Sequence, residues 1–163
     1  PATRGYPPSV FSLLPQLLER AGTSELGSIT GLYTVLVEGD DMNDPIADAA
    51  RSILDGHVVL DRRLATSGHF PSIDVLESVS RSVNDITTAE QRADATMLRQ
   101  LLAARRDAKD LVEIGAYVAG SNPLVDRALE KSAAIDQFLR QPVDDVADLE
   151  QSWASLHELA VSA

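Results

Sequence analysis

No cysteine occurs among the 163 residues, which excludes disulfides and thiolate metal sites and suits a reducing compartment. Lysine is almost as scarce. Lys109 and Lys131 stand against twelve arginines, a skew that high-GC coding can explain. Neither lysine follows a glycine, so these residues cannot form the phosphate-cradling loop G-x-x-x-x-G-K-[ST]. There is no G-x-S-x-G nucleophile elbow, no internal repeat and no low-complexity segment. No apolar run approaches the length of a membrane span, and no signal peptide is visible. The three histidines, His57, His69 and His157, lie too far apart in sequence for a local metal motif. They read as a strand-edge, a loop and an exposed residue. Asp41-Met42-Asn43-Asp44 faintly resembles a calcium loop, but Ile46 and Ser52 stand where that loop needs Gly and Glu. A turn followed by a helix cap is the simpler reading, and no metal ligand is assigned.

What is present points to a folded domain. Hydrophobic residues make up 44% of the chain, enough for a real core and against bulk disorder. The length suits one medium domain or two small ones. The formal net charge of −11 repels phosphate backbones, so no nucleic-acid partner is expected. The chain opens at Pro1 without Met and reads as a piece of a longer protein.

The first half mixes strand and helix patterns. Residues 1–7 form a loop, and a short helix follows with Val10, Leu13, Leu14, Leu17 and Leu18 on one side, bent or restarted at Pro15. Ser28–Glu38 is the strongest strand pattern, and its near-continuous apolar run predicts cover on both faces. Asp44 caps a helix that opens at Pro45 and shows Ile46, Ala49, Ala50, Ile53 and Leu54 on its apolar face. His57–Leu60 is a second strand, and Asp61 caps a short helix closed by Gly68. The alternation predicts part of a mostly parallel sheet with helices on its faces.

Beyond Gly68–Arg81 the texture becomes helical, so that stretch marks a border: residues 1–81 on one side, 82–163 on the other. Thr87-x-x-Glu90 reads as a capping box. Met97, Leu101, Ala104, Ala108 and Leu111 then keep a helical period up to Gly115. A second helix runs from an Asn122 cap to Pro142, with Val125, Leu129, Ser132, Ile135 and Leu139 as its stripe. A third starts near Asp144, with Val146, Leu149, Trp153, Leu156 and Ala160 three and four apart. Three antiparallel helices with short links predict a small bundle.

Several ordered motifs carry a resemblance over nearly the whole chain. They are Ala2-Thr3-Arg4-Gly5-Tyr6-Pro7-Pro8-Ser9-Val10-Phe11, then Leu18-Glu19-Arg20-Ala21-Gly22, then Gly27-Ser28-Ile29-Thr30. Further on come Glu38-Gly39-Asp40-Asp41-Met42-Asn43-Asp44-Pro45-Ile46-Ala47-Asp48, Ile53-Leu54-Asp55-Gly56-His57-Val58-Val59-Leu60, Arg62-Arg63-Leu64-Ala65 and Glu113-Ile114-Gly115-Ala116-Tyr117-Val118-Ala119-Gly120-Ser121. Together they resemble the flagellar and type III secretion export ATPases, relatives of the F-type rotary ATPases. The resemblance implies an α/β fold: the C-terminal portion of a RecA-like P-loop NTPase core, followed by an all-α helical bundle. It implies an ATP hydrolase, with ATP and Mg2+ held by phosphate and metal ligands that precede this segment, so the chain alone is expected to be inactive. It also implies a homo-hexamer with each nucleotide between two subunits. The partners implied are a central-stalk coiled-coil protein, an export gate and chaperone–substrate complexes. The location implied is the cytoplasm, peripheral at the inner-membrane base of the export apparatus.

Within that resemblance Arg81 matches the arginine finger that reaches the neighbouring subunit's nucleotide. A guanidinium offers fixed donors and a permanent charge to a γ-phosphate in its transition state. By its residues alone, Arg81 reads instead as a surface arginine paired with Glu77 or Asp85. Phe70 falls where the family stacks an aromatic on adenine, with Pro71 stiffening the loop; by itself it reads as a core aromatic. The second adenine wall maps to Phe138–Val143. Val143 replaces the F-type aromatic there, and Phe138 reads equally as core. Arg4, Gly5 and Tyr6 map to a loop near the central channel, or to an ordinary connection. Asp40, Asp41 and Asp44 match the family without an assigned step. The acidic lever loop of F-type catalytic subunits is missing between Gly115 and Pro123. Two alternatives stand beside the flagellar reading: a virulence type III secretion or other rotary ATPase subunit, and a non-catalytic acidic helical docking module.

Overall fold

A computed structural model describes residues 6–37 and 44–162 of the chain. The molecule divides into two compact units, Pro1–His57 and Val58–Ala163. That division lies upstream of the border drawn at residue 81.

In the first unit, helix α1 (Pro8–Leu18) opens with a proline at its first position, where a missing N–H costs nothing. It runs through Pro15 without restarting. Helix α2 (Pro45–Ile53) is capped as expected: the Asp44 carboxylate accepts from the N–H groups of Ile46 (2.9 Å) and Ala47 (3.3 Å). The two helices pack together, and Leu18, Ala47 and Ala50 are buried. Beyond α1 a small antiparallel hairpin forms. It joins β1 (Gly22–Ser24) to β2 (Gly27–Ile29), with Thr23 opposite Ser28.

The strand expected over Ser28–Glu38 is realised only as far as Ile29. Residues 30–37 have no regular structure, and Leu32 and Leu36 are 98% and 93% exposed. A strand needs a neighbour for its backbone N–H and C=O groups, and among the described residues none pairs with this stretch.

The second unit is built on α5 (Ala89–Glu113), a 25-residue helix. Strand β3 (Gly56–Leu60) pairs with β4 (Ile73–Ser80) in a two-stranded sheet, and α3 (Arg62–Thr66) joins them. Asp61 caps α3 through the Arg63 N–H. Strand β4 and the short α4 (Val83–Ile86) were not predicted as elements. The capping box of α5 sits one residue beyond the predicted one. Thr88 Oγ1 accepts from Gln91 N–H, and Gln91 Oε1 accepts from Thr88 N–H at 2.9 Å. Thr87 is occupied elsewhere, its hydroxyl donating to the carbonyl of Val83, the first residue of α4.

The expected second bundle helix is two helices, α6 (Pro123–Glu130) and α7 (Ser132–Leu139), which break at Lys131 and stop before Pro142. Asn122 caps α6 as expected. The last helix, α8 (Leu149–Val161), begins five residues later than the predicted start at Asp144, because Asp148 supplies the cap to Gln151 N–H. Val146, assigned to that helix's buried stripe, is instead exposed in the preceding loop, and Leu149 is exposed too.

Leu98, Leu101, Leu102, Ala128, Ile135, Leu156 and Leu159 form one buried cluster, with Val75 and Leu76 of β4 packed against it. Of the predicted α5 stripe, Leu101 and Ala108 are buried, Met97 and Ala104 pack on the cluster's edge, and Leu111 is half exposed. Among the described residues no helix is long and apolar enough to cross a membrane.

Candidate nucleotide-facing site

The loop between α3 and β4 is fixed from its own backbone outward. Gly68 turns with φ 75°, which a side chain disfavours, and closes α3. His69 N–H donates to the Leu64 carbonyl at 2.9 Å. The His69 ring is buried, and its Nδ1 lies 3.2 Å from the Pro71 carbonyl, to which it donates in the Nδ1–H form. The plain loop histidine of the sequence reading is thus an internal brace of this turn. The Phe70–Pro71 peptide is cis. Phe70 itself is 55% exposed, so the ring is not a core aromatic.

One long-range bond places this loop against the link that follows α7. Gln141 N–H donates to the Phe70 carbonyl at 2.9 Å. Two residues on, Val143 is 99% exposed. Phe70, Pro71 and Val143, distant in sequence, therefore come from adjoining loops with apolar surface open to solvent. Phe138 behaves differently: it lies half-buried on α7, packed against the helical core.

Arg81 follows the last residue of β4, while Phe70 and Pro71 precede its first. Eight strand residues span at most roughly 27 Å, so the strand sets the two functional candidates at opposite ends. The strand is not straight. Asp74 Oδ1 accepts from the N–H groups of Leu76 (2.9 Å) and Glu77 (3.1 Å), a local side-chain turn inside the extended run. That turn accounts for two successive residues, Val75 and Leu76, packing on the same core, which a flat strand forbids. Ser78 Oγ donates to the Asp74 carbonyl at 2.6 Å and accepts from Val59 N–H at 3.0 Å, tying the kinked strand to β3. Glu77 pairs with Arg106 at 3.5 Å.

Of the proposed channel loop, Tyr6 is exposed; Arg4 and Gly5, like Asp40 and Asp41, lie outside the described residues. The link at 115–122 is held by a carboxylate. Asp126 accepts from Tyr117 O–H (2.9 Å) and from Gly120 N–H (2.9 Å).

The arrangement suits one end of a nucleotide. An open aromatic face beside an exposed aliphatic can receive a flat base. No G-x-x-x-x-G-K-[ST] phosphate loop can form here, since no Gly-Lys pair occurs in the sequence. Nor is there, among the described residues, a cluster of three or more His, Asp or Glu side chains for a metal ion.

The nucleotide-binding domain of the ATP synthase alpha/beta family matches residues 1–80, and the type III secretion EscN ATPase C-terminal domain matches residues 87–158. The flagellum-specific ATP synthase of Bacillus subtilis (strain 168) is 51% identical over 159 residues, covering 98% of this chain and 36% of the relative. The type 3 secretion system ATPase of Sinorhizobium fredii is 50% identical over 157 residues, covering 95% and 35%. Among solved structures, the assembled ATPase EscN of the enteropathogenic E. coli type III secretion system superposes with a TM-score of 0.93 at 44% identity. That match covers 99% of this chain and 39% of the other. EscN in complex with its central stalk EscO gives 0.86 at 42% identity, covering 96% and 37%. The fold matches the C-terminal portion of an EscN-like ATPase fold followed by a helical region. The chain belongs to the ATP synthase alpha/beta family, in the branch of the flagellum-specific and type III secretion ATPases. It spans just over a third of the length of these relatives.

Proposed function

We propose that this chain is the C-terminal part of an ATP hydrolase that energises flagellar protein export. Residues 1–81 end its nucleotide domain and 82–163 form its helical domain. Phe70, stiffened by Pro71, stacks on adenine, and Val143 closes the other side of the base. Phe138 supports that wall from the core rather than touching the nucleotide. Arg81, one strand length away, serves the nucleotide bound to the neighbouring subunit of a homo-hexamer. Its fixed charge meets the γ-phosphoryl oxygens as negative charge redistributes among them. ATP is the substrate and brings Mg2+ with it, and phosphate and metal contacts come from residues outside this segment.

The observation that carries this reading is the Gln141–Phe70 hydrogen bond with the half-exposed Phe70 ring beside it. It ties together two stretches from the two sides of the residue-81 border, each with exposed apolar surface. Arg4, Gly5 and Tyr6 serve the central channel, where a coiled-coil stalk passes; the solved EscN–EscO complex supports a stalk partner. The export gate and chaperone–substrate complexes are the remaining partners. The assembly works from the cytoplasm, peripheral at the inner-membrane base of the export apparatus. The virulence type III reading stands as a second one, because secretion-system relatives match as closely as flagellar ones.

The test is Arg81→Ala in the full-length enzyme. Nucleotide affinity should stay near wild type while turnover falls about a thousandfold or more, the range for loss of an arginine finger. Wild-type phosphate release by that variant would reject the finger.

A further inference from the structure

Helix α5 carries arginines at 92, 99 and 106, seven residues apart. Seven residues are within about 20° of two full turns, so the three project from one face, about 10.5 Å apart along the axis. The buried residues Leu98, Leu101 and Leu102 come from the same helix and serve the core. The arginine stripe serves something else.

Arg99 reaches the backbone of β4. Its Nη1 donates to the Val75 carbonyl at 2.6 Å and the Ser78 carbonyl at 3.3 Å, and its Nη2 donates to the Leu76 carbonyl at 3.0 Å. Two turns earlier, Arg92 Nη1 donates to the Thr87 carbonyl, to the Asn84 carbonyl at 3.3 Å and to Thr87 Oγ1 at 3.4 Å. Two turns later, Arg106 meets Glu77 at 3.5 Å. The planar guanidinium is suited to gripping several carbonyls at once, which an ammonium does less rigidly.

The carbonyls these arginines hold lie on both sides of one residue. Val75, Leu76 and Ser78 precede Arg81, and Asn84 and Thr87 follow it. The segment from 75 to 87 is thus pinned to α5 at two points, and Arg81 stands between them. At the kink the Asp74 side chain takes the Leu76 and Glu77 N–H groups, and Arg99 takes the neighbouring carbonyls.

We infer that Arg99 and Arg92 are positioning residues for Arg81. They hold the backbone on which the finger is mounted at the place where it meets the neighbouring subunit's nucleotide. This rests on the finger reading of Arg81. Misplacing a catalytic group by about 1 Å can cost on the order of a hundredfold in rate, so a brace made of carbonyl contacts can matter without touching substrate.

The experiment is a double-mutant cycle in the full-length enzyme, with kcat, KM for ATP and equilibrium nucleotide affinity measured for each variant. Arg99→Ala should lower kcat about tenfold or more and leave KM and nucleotide affinity within about twofold, since ground-state binding is untouched. Arg99→Lys should recover part of kcat. The double variant Arg81→Ala/Arg99→Ala should be no slower than Arg81→Ala, because removing the finger leaves the brace nothing to position. Losses that multiply in the double variant would instead mark Arg99 as general structural support and overturn the inference. So would wild-type kcat in Arg99→Ala while Arg81→Ala is dead. An active Arg81→Ala removes the finger itself, and the brace with it, and is told apart by that variant alone. If Arg99→Ala does not fold, Arg92→Ala and Arg99→Lys enter the same cycle with the same expectations.

Discussion

His157 sits on α8 with its Nδ1 2.9 Å from Asp94 Oδ2 and 3.8 Å from Glu90 Oε1, both on α5. The hydrogen bond to Asp94 raises the imidazole above its ordinary pKa, with the charges of Asp94, Glu90 and Glu158 adding to it and desolvation opposing. A group raised on folding stabilises the fold in its charged form. That contribution is full below the unfolded value of about 6.5 and fades as pH climbs through the higher folded value. The advantage of wild type over His157→Ala in thermal midpoint should therefore be largest near pH 5.5 and shrink toward pH 8.5, both about one to two units from the unfolded value. A pH-independent gap between the two proteins would dismiss the ion pair as the cause. At this scale Asp44, Asn122 and Phe70's separation from Arg81 were legible from the residues, because caps and loop borders are local. It hid His69 and His157, whose partners are a backbone turn and a carboxylate 63 residues away.

Between elements, the break at Lys131 shows what periodicity alone misses. The apolar stripe from Val125 to Leu139 reads as one helix, since α6 and α7 keep nearly the same phase. Lys131 is buried at the joint and donates from Nζ to the Leu159 carbonyl and to Ser162 Oγ, each at 2.8 Å, and to the Ser162 carbonyl. Arg127 adds a bond to the Ala160 carbonyl at 2.8 Å. Two cations thereby satisfy carbonyls that the C-terminus of α8 leaves without intrahelical donors, and they complement its dipole. Burial and the neighbouring Arg127 lower the pKa of Lys131, with Glu130 opposing. Lys131→Met keeps the volume and strips the donors, so it should cost about 1–3 kcal/mol, read as a lower denaturation midpoint at an unchanged slope. An unchanged midpoint would mean water replaces the ammonium without loss. The arginine stripe of α5 was equally legible as a seven-residue spacing, but its targets are backbone carbonyls, which carry no sequence signal.

Across the whole chain, burial is uneven. The second unit has a core with Leu101 and Ile135 essentially inaccessible, whereas the first buries Leu18, Ala47 and Ala50 and leaves Leu13, Leu17, Leu32 and Leu36 exposed. Exposed apolar surface on this scale marks a place where something packs. The Ser28–Glu38 pattern predicts what: a strand with both faces covered, in a sheet whose other strands are not found among the described residues. Sequence pattern and structure disagree here because strand propensity is realised only through ladder partners, whereas a helix satisfies its own backbone. Hydrogen exchange on two proteins separates the possibilities. In the 163-residue chain, amides of 30–37 should exchange at nearly unprotected rates, while those of Leu98, Leu101, Ala128 and Ile135 exchange slowest. In the full-length enzyme the 30–37 amides should become protected to the level of α5, as the segment takes its place in the nucleotide-domain sheet. The same fast exchange in both proteins would show that the stretch is no strand, and the apolar run would then need another cover.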